Sequence, residues 1–459
     1  MRLLAILLTC VTCAHAEGIS VDGKRDEPAW QNARLDRSFK LTQPDTGEAP
    51  DFETRTYWMA APEGLAFFFE NDQDSAVHPR LAPVTQRDNA GSSDRVNIMV
   101  DFDGTGQSGY NFTLTRANSI EDATISNENF FNPDWDGLWY HAVREREGGW
   151  DGEILVPWST VLMREAGATR SIGLYLDRVT AHKGLRAAVP NLVFFRPQFL
   201  SLFAKHEIKS FRSSLFKVYP YLSTLSDQVS ERIEARAGLD LFWKPSGEFQ
   251  LTAALNPDFG QVEADDLVVN FDAVEVFFSD RRPFFTENQS LFVIQSPEEE
   301  PLIYTRRVGA GRDDGEGVSD IDAALKLSGS FKGVDYGVFA ASERDADTVG
   351  RRSGAVRFKH PTPKFDLGYL GTYVERPFLD REASLHAVDA RWLPSDQWQI
   401  SGVLLRSDID QGAQNRTGFG GFGSLIYKPA PTRDFRLDLT RYDRKLDFND
   451  LGFQRRRGL

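Results

Sequence analysis

From Glu231 to Asn256 the chain reads ERIEARAGLDLFWKPSGEFQLTAALN, and this stretch decides the fold. Ile233, Ala235, Ala237, Leu239, Leu241 and Trp243 fall on one side of an extended chain, and Arg232, Glu234, Arg236 and Asp240 on the other. After the turn Lys244-Pro245-Ser246-Gly247, residues Phe249, Leu251, Ala253 and Leu255 alternate with Glu248, Gln250, Thr252 and Asn256. Successive side chains of a strand point to opposite faces, so the pattern describes a hairpin with one apolar and one polar face. The unit recurs, with strands expected at 214–225, 231–243, 248–256, 319–331, 334–342, 354–360, 365–373, 384–393, 398–406, 417–427 and 435–443. Most approach the roughly 9 to 11 residues with which a tilted strand crosses a bilayer. A sheet that meets oil on one face and water on the other is how a transmembrane barrel is built. A soluble sheet whose apolar faces pack on each other is the competing reading.

The connections add a second signal. Short turns at 244–247, 332–333, 361–364, 394–397 and 428–434 alternate with longer segments at 341–353, 374–383 and 407–416 that are rich in Asp, Arg and Gly. Outer-membrane barrels have short turns on the periplasmic side and long loops outside, and an outward first strand places every short turn here on the periplasmic side. Trp243, Phe249, Tyr369, Tyr373, Trp392, Trp398 and Tyr427 recur near strand ends, where amphipathic rings suit a membrane interface. The expected eleven strands are an odd number, and the chain ends on the basic run Arg455-Arg456-Arg457. Bacterial barrels usually have even strand counts and tolerate no open edge in lipid, so the barrel is expected to be incomplete in this chain.

At the other end, Met1-Arg2, the apolar run Leu3 to Cys13 and Ala14-His15-Ala16 have the three parts of a secretory leader, with cleavage expected after Ala16. Both cysteines lie in it, which leaves the mature chain without disulfides or thiolate metal sites. Removing Arg2 leaves 52 basic against 67 acidic residues, a net −15, which argues against a nucleic-acid surface. With 34 Phe against 4 Met, and no later apolar run near the roughly 20 residues of a membrane helix, the composition is that of an all-β protein. A change of regime at about Lys205 separates irregular strands and Trp-rich turns, expected as a β-sandwich over 17–205, from the alternating hairpins of 206–459.

Three strings of the first regime carry a resemblance. They are Ile19-Ser20-Val21-Asp22-Gly23-Lys24-Arg25-Asp26-Glu27-Pro28-Ala29-Trp30, Ser93-Asp94-Arg95-Val96 before Asp101, and Gly149-Trp150-Asp151-Gly152-Glu153 running on to Trp158. Together they resemble the family-nine carbohydrate-binding module, which implies a sandwich that stacks sugar rings on aromatic faces. Trp135 and Trp139, in a polar loop with carboxylates alongside, are the expected platform, and Arg95 a donor to sugar hydroxyls; core packing is the competing reading for both rings. Trp30, Trp150 and Trp158 begin or end apolar strands and read as core. Asp101-Phe102-Asp103-Gly104 spaces carboxylates as calcium ligands are spaced. The resembled family can hold structural calcium, so Asp101 and Asp103, with Asp88 or Asp94, are candidate ligands against the alternative of a plain acidic turn.

In the second regime, the strings Leu255 to Asp265, Phe277 to Glu287 and Ile303 to Gly309 resemble an uncharacterised bacterial family in which a family-nine-like module precedes an outer-membrane barrel of unknown function. Residues 257–317 are too long and mixed for a simple loop. Phe259, Phe277, Phe278, Phe284 and Phe285 suit a folded insert, and Asp258, Glu263, Asp265, Arg281, Arg282, Arg306 and Arg307 suit pairing with a polar barrel wall. A plug or constriction is expected, with a loop over the barrel mouth as the alternative.

The expected function is the binding or handling of glycans or related solutes by a periplasmic sandwich on an outer-membrane barrel, with outer-membrane lipid as surroundings. Glycoside hydrolysis is the alternative, since such modules accompany polysaccharide-degrading enzymes. It needs two carboxylates facing each other about 5 to 10 Å apart, and no catalytic domain is recognisable to hold them. A non-catalytic scaffold or adhesin is the third reading.

Overall fold

A computed structural model describes residues 18–455 except 75–78, 165, 195, 212–213, 228–231, 258–276, 279, 316, 346–347 and 431–432. The expected leader and the expected constriction residues Asp258, Glu263 and Asp265 lie outside the described residues. Among the described residues the chain is all-β, with one short α-helix at Pro283–Thr286 and a few short 3-10 helices. None of the described helices is long and apolar enough to cross a membrane.

The first unit comprises β1 (Arg34–Asp36), β2 (Lys40–Gln43), β3 (Thr54–Ala60), β4 (Gly64–Asp72), β5 (Arg95–Asp101), β6 (Ser108–Thr115), β7 (Ile120–Ser126), β8 (Phe130–Asn132), β9 (Tyr140–Arg146), β10 (Gly149–Pro157), β11 (Thr169–Thr180), β12 (Leu185–Val189) and β13 (Ala204–Lys209). They form two antiparallel sheets, β1-β3-β4-β10-β9 and β2-β12-β11-β5-β6-β7-β8, with β13 also on β11. One core joins the facing sides, including Phe67 and Phe69 of β4, Ile98 of β5, Phe112 of β6 and Ile154 of β10. Trp30, Trp150 and Trp158 are buried as expected. The boundary read at Lys205 falls inside β13, which keeps pairing with β11 to Lys209.

The second unit is one antiparallel sheet of eleven strands in chain order. Its strands are β14 (Leu215–Asp227), β15 (Arg232–Ser246), β16 (Phe249–Leu255), β17 (Asp320–Phe331), β18 (Val334–Asp345), β19 (Thr348–Pro361), β20 (Phe365–Arg376), β21 (Arg381–Ser395), β22 (Trp398–Gln411), β23 (Gln414–Ala430) and β24 (Arg433–Tyr442). Every expected strand is present. Among the described residues the sheet does not close, since β14 and β24 each have a single neighbour. The expected long loops are a correction: β18 to β23 run on through most of those charged segments, leaving tight connections such as the Pro377–Leu379 turn. Asp and Arg were read as loop residues there, but charges opposite each other on paired strands, such as Arg352 with Glu375, hold the ladder beyond the apolar zone. At the other end Lys332 and Gly333 have φ of 50° and 80°, the left-handed pair that a two-residue hairpin turn requires.

Burial in this sheet is inverted. Leu325, Val356, Phe358, Leu367, Val388 and Leu404 point from its bare face, whereas Lys326, Ser328, Arg357, Asp366, Arg391 and Ser407 are buried on its covered face. Leu404 is 73% exposed and Ser407, on the same strand, 0%. A row of rings edges the bare face at the short-turn end: Trp243 opposes Phe216, Phe365 opposes Trp392, and Trp398 stacks on Tyr427 at 4.2 Å.

Candidate functional site

The covered face is filled by chain from two places. Phe284, Phe285, Phe292, Ile294, Leu302 and Val308 of the segment between β16 and β17 pack on Ala324, Phe339, Leu370, Leu385 and Leu405, and Leu446, Phe448 and Leu451 after β24 join them. Small and aliphatic residues on the wall make room for these rings.

Charge pairing fixes the filling at the end away from the short turns. Asp313 accepts from Arg351 at 3.0 Å and Arg376 at 2.6 Å. Asp450 accepts from Arg376 at 3.0 Å and Arg381 at 2.6 Å, and Asp447 from Arg416 at 2.7 Å. The cations thus stand on the wall and the carboxylates on the filling, whereas the expected pairing set of the insert held both signs. Arg282 turns inward to Asp280, Thr305 O and Val308 O. Arg307 donates to Gly452 O at 3.2 Å, Arg306 lies over the Phe278 ring, and Arg281 is half-buried. This ladder was missed in the sequence because each Arg sits where a strand was read as loop.

At the opposite end the sandwich docks onto the sheet's short turns. Arg164 gives Asp335 two bonds of 3.0 and 3.1 Å, Gln107 donates to Thr362 O at 2.9 Å, Gln198 to Ser395 O at 3.0 Å, and Met163 N to Gly247 O at 3.0 Å. Between sandwich, filling and wall lies a cavity of about 240 Å³. Tyr110, Gln107, Ser108, Ser126 and Asn127 line it from the sandwich, Asn288, Ser290 and Gln295 from the filling, and Arg357, Lys359, Asp366, Asp389, Arg391, Gln399 and Ser401 from the wall. Its charges are matched: Arg357 grips Asp389 at 2.9 Å, and Arg391 grips Asp366 at 2.6 Å. These polar groups sit on alternate residues of β19 to β22, the wet face legible in the hairpin pattern.

The expected sugar platform is corrected. Trp135 and Trp139 are 4% and 5% exposed and belong to the sandwich core, packed on Tyr110 and Phe112. Trp139 Nε1 donates to Asp122 of β7 at 2.6 Å, so a neighbouring strand, not the polar loop that suggested exposure, supplies the indole's partner. Neither ring has a free face for a sugar. Arg95 donates to the carbonyls of Gly91 and Ser93.

The expected calcium ligands are engaged in hydrogen bonds and ion pairs within the protein. Asp101 accepts from the amides of Asp103 and Gly106 and pairs with Lys205, and Asp103 accepts from the Arg164 amide and Arg170. Both carboxylates are engaged in shaping a turn. Asp94 accepts from Gln73, Leu81 N and Ala181 N. Asp88 has oxygens within 4.8 Å of those of Asp122 and Asp136, but Arg87 pairs with all three. Burial pushes the Asp122 carboxyl up to about 7, against the pull of Arg87.

A family model described as a domain of unknown function, DUF5916, matches residues 214–327. No curated protein matches the chain in sequence. A similar solved structure is OmpTdeltaL8, the loop L8 deletion mutant of OmpT, an outer membrane protein of Vibrio cholerae. It is 8% identical, covers 77% of this chain and 94% of its own, and has a TM-score of 0.26, too distant a likeness to bear on function.

Proposed function

We propose that this chain is an outer-membrane protein whose eleven-stranded sheet meets lipid with its bare face. In this reading the docked sandwich stands on the periplasmic side, and the protein handles small glycans or related polar solutes at the envelope. The observation that carries this is the inverted burial of the sheet. Full burial of a large apolar side chain is worth about 1.5–3 kcal/mol, and Phe358, Leu367, Val388 and Leu404, 47% to 73% exposed, forgo part of it side by side. Hydrocarbon removes that deficit; the aromatic row then falls at an interface, where amphipathic rings belong.

The two-sheet sandwich fits the architecture implied by the carbohydrate-binding resemblance, with the role of Trp135 and Trp139 removed. The matched charges and amides of the interdomain cavity suit an uncharged polar solute better than an ion. The filled wall favours holding a solute over free diffusion through the sheet. Vesicle flotation tests the membrane assignment: the protein is expected to rise with lipid after a urea wash, and a folded chain left in the aqueous fraction contradicts it. Solute flux into proteoliposomes is expected to stay low until the Asp313 and Asp450 pairs are removed together.

A further inference from the structure

We infer that the interdomain cavity binds a small neutral polyol, of monosaccharide size, against a buried Asp366–Arg391 pair that Glu128 backs from behind the cavity wall. The inference rests on the solute-handling reading and names its site and ligand class. Asp366 and Arg391 line the cavity from the wall. Arg391 spends Nε and Nη2 on Asp366 Oδ2, and Nη2 also reaches Gln107 of the sandwich at 3.1 Å. Glu128 comes from the sandwich, with Oε2 accepting from the amides of Phe199 and Ser201 at 3.0 Å each.

Each of the three side chains keeps one buried atom without a hydrogen-bond partner: Arg391 Nη1, Asp366 Oδ1 and Glu128 Oε1. The side chains are 7%, 3% and 0% exposed, and Nη1 lies 3.7 Å from Oε1, beyond hydrogen-bond reach. Buried polar groups left in this state are costly. Nη1 and Oε1 are a donor and an acceptor too far apart to bond, and a hydroxyl beside them satisfies both because it accepts and donates from one atom. Ser108, Ser290, Gln399 and Ser401 line the same cavity and offer further partners for a molecule carrying several hydroxyls. The paired charges around it leave no net field to select an ion, and about 240 Å³ lies below the roughly 300–1,000 Å³ of sites for larger ligands.

Calorimetry on the full chain in detergent micelles, with glucose and sorbitol as probes and gluconate and glucosamine as charged counterparts, tests this. Glucose or sorbitol is expected to bind, and gluconate and glucosamine about tenfold more weakly or not at all. Arg391→Lys and Asp366→Asn are expected to weaken the neutral probe by about tenfold, the loss of one hydrogen bond to a charged group. Ser290→Phe fills the cavity without touching an ion pair and is expected to abolish binding with unchanged circular dichroism. The inference is overturned if the folded wild type binds neither neutral probe, which leaves the cluster to water alone. It is equally overturned if gluconate binds as tightly, or if Ser290→Phe binds like the wild type. A chain that floats with lipid but binds no polyol defeats the site alone; one that binds polyol yet stays dissolved without detergent defeats the membrane reading alone.

Discussion

The sandwich and the eleven-stranded sheet are written in the same period-two alphabet with opposite meaning. In β4, Phe67 and Phe69 are fully buried against a facing sheet. In β22, Leu404 is bare while Ser407 is sealed. Both units satisfy the pleat; what differs is where the solvent for the apolar side lies. In the sandwich that solvent is the second sheet, and for the larger sheet no described residue supplies it. Alternation therefore specifies a strand, and the environment specifies which face is inside.

Four changes press on this contrast, from strongest to weakest. Phe67→Ala leaves a cavity in a dry core and is expected to destabilise the sandwich by about 3–5 kcal/mol in urea unfolding; a loss near zero would make that core as loose as a surface. Leu404→Arg puts a charge on the bare face, with an expected cost of about 2–4 kcal/mol for refolding into lipid. A neutral outcome in bilayers would erase the distinction between the units.

The third is a titration of the sandwich. The folded pKa of Asp122, about 7, lies above its ordinary 3.8, so the folded state holds the proton. The stability it confers is complete below about 4 and is lost as pH rises through about 7, with a slope of at most about 1.4 kcal/mol per pH unit. Thermal melts between pH 4 and 8 are expected to show that decline, and Asp122→Asn to flatten it. The fourth and smallest is Arg164→Ala, which removes a partly exposed ion pair in which Nη2 alone reaches both oxygens of Asp335. It is expected to cost about 0.5–1 kcal/mol, and to raise proteolysis between the units without unfolding either.

The strands were legible because eleven stretches of alternating polarity each leave a local trace. The connections were not: Arg376, Arg381 and Arg416 looked like loop residues, yet they extend strands and meet Asp313, Asp447 and Asp450 from distant sequence. Trp135 and Trp139 misled for a related reason. The segment around them has no regular period, so the adjacent Asp134 and Asp136 are the sole cue, whereas the carboxylate that partners the buried indole is Asp122, on β7 and distant in sequence. The docking of sandwich on sheet rests on single residues such as Gln107 and Gln198, which leave no pattern at all.

The central claim is that the bare face of the sheet meets hydrocarbon. No cysteine follows Cys13, so single substitutions Phe358→Cys, Val388→Cys and Leu404→Cys accept spin labels cleanly, with Ser407→Cys on the covered face for contrast. In bilayers, the three bare-face labels are predicted to collide freely with oxygen and rarely with a water-soluble nickel chelate, while position 407 meets neither. Bare-face labels that meet the chelate as readily as one placed on an exposed turn contradict the account.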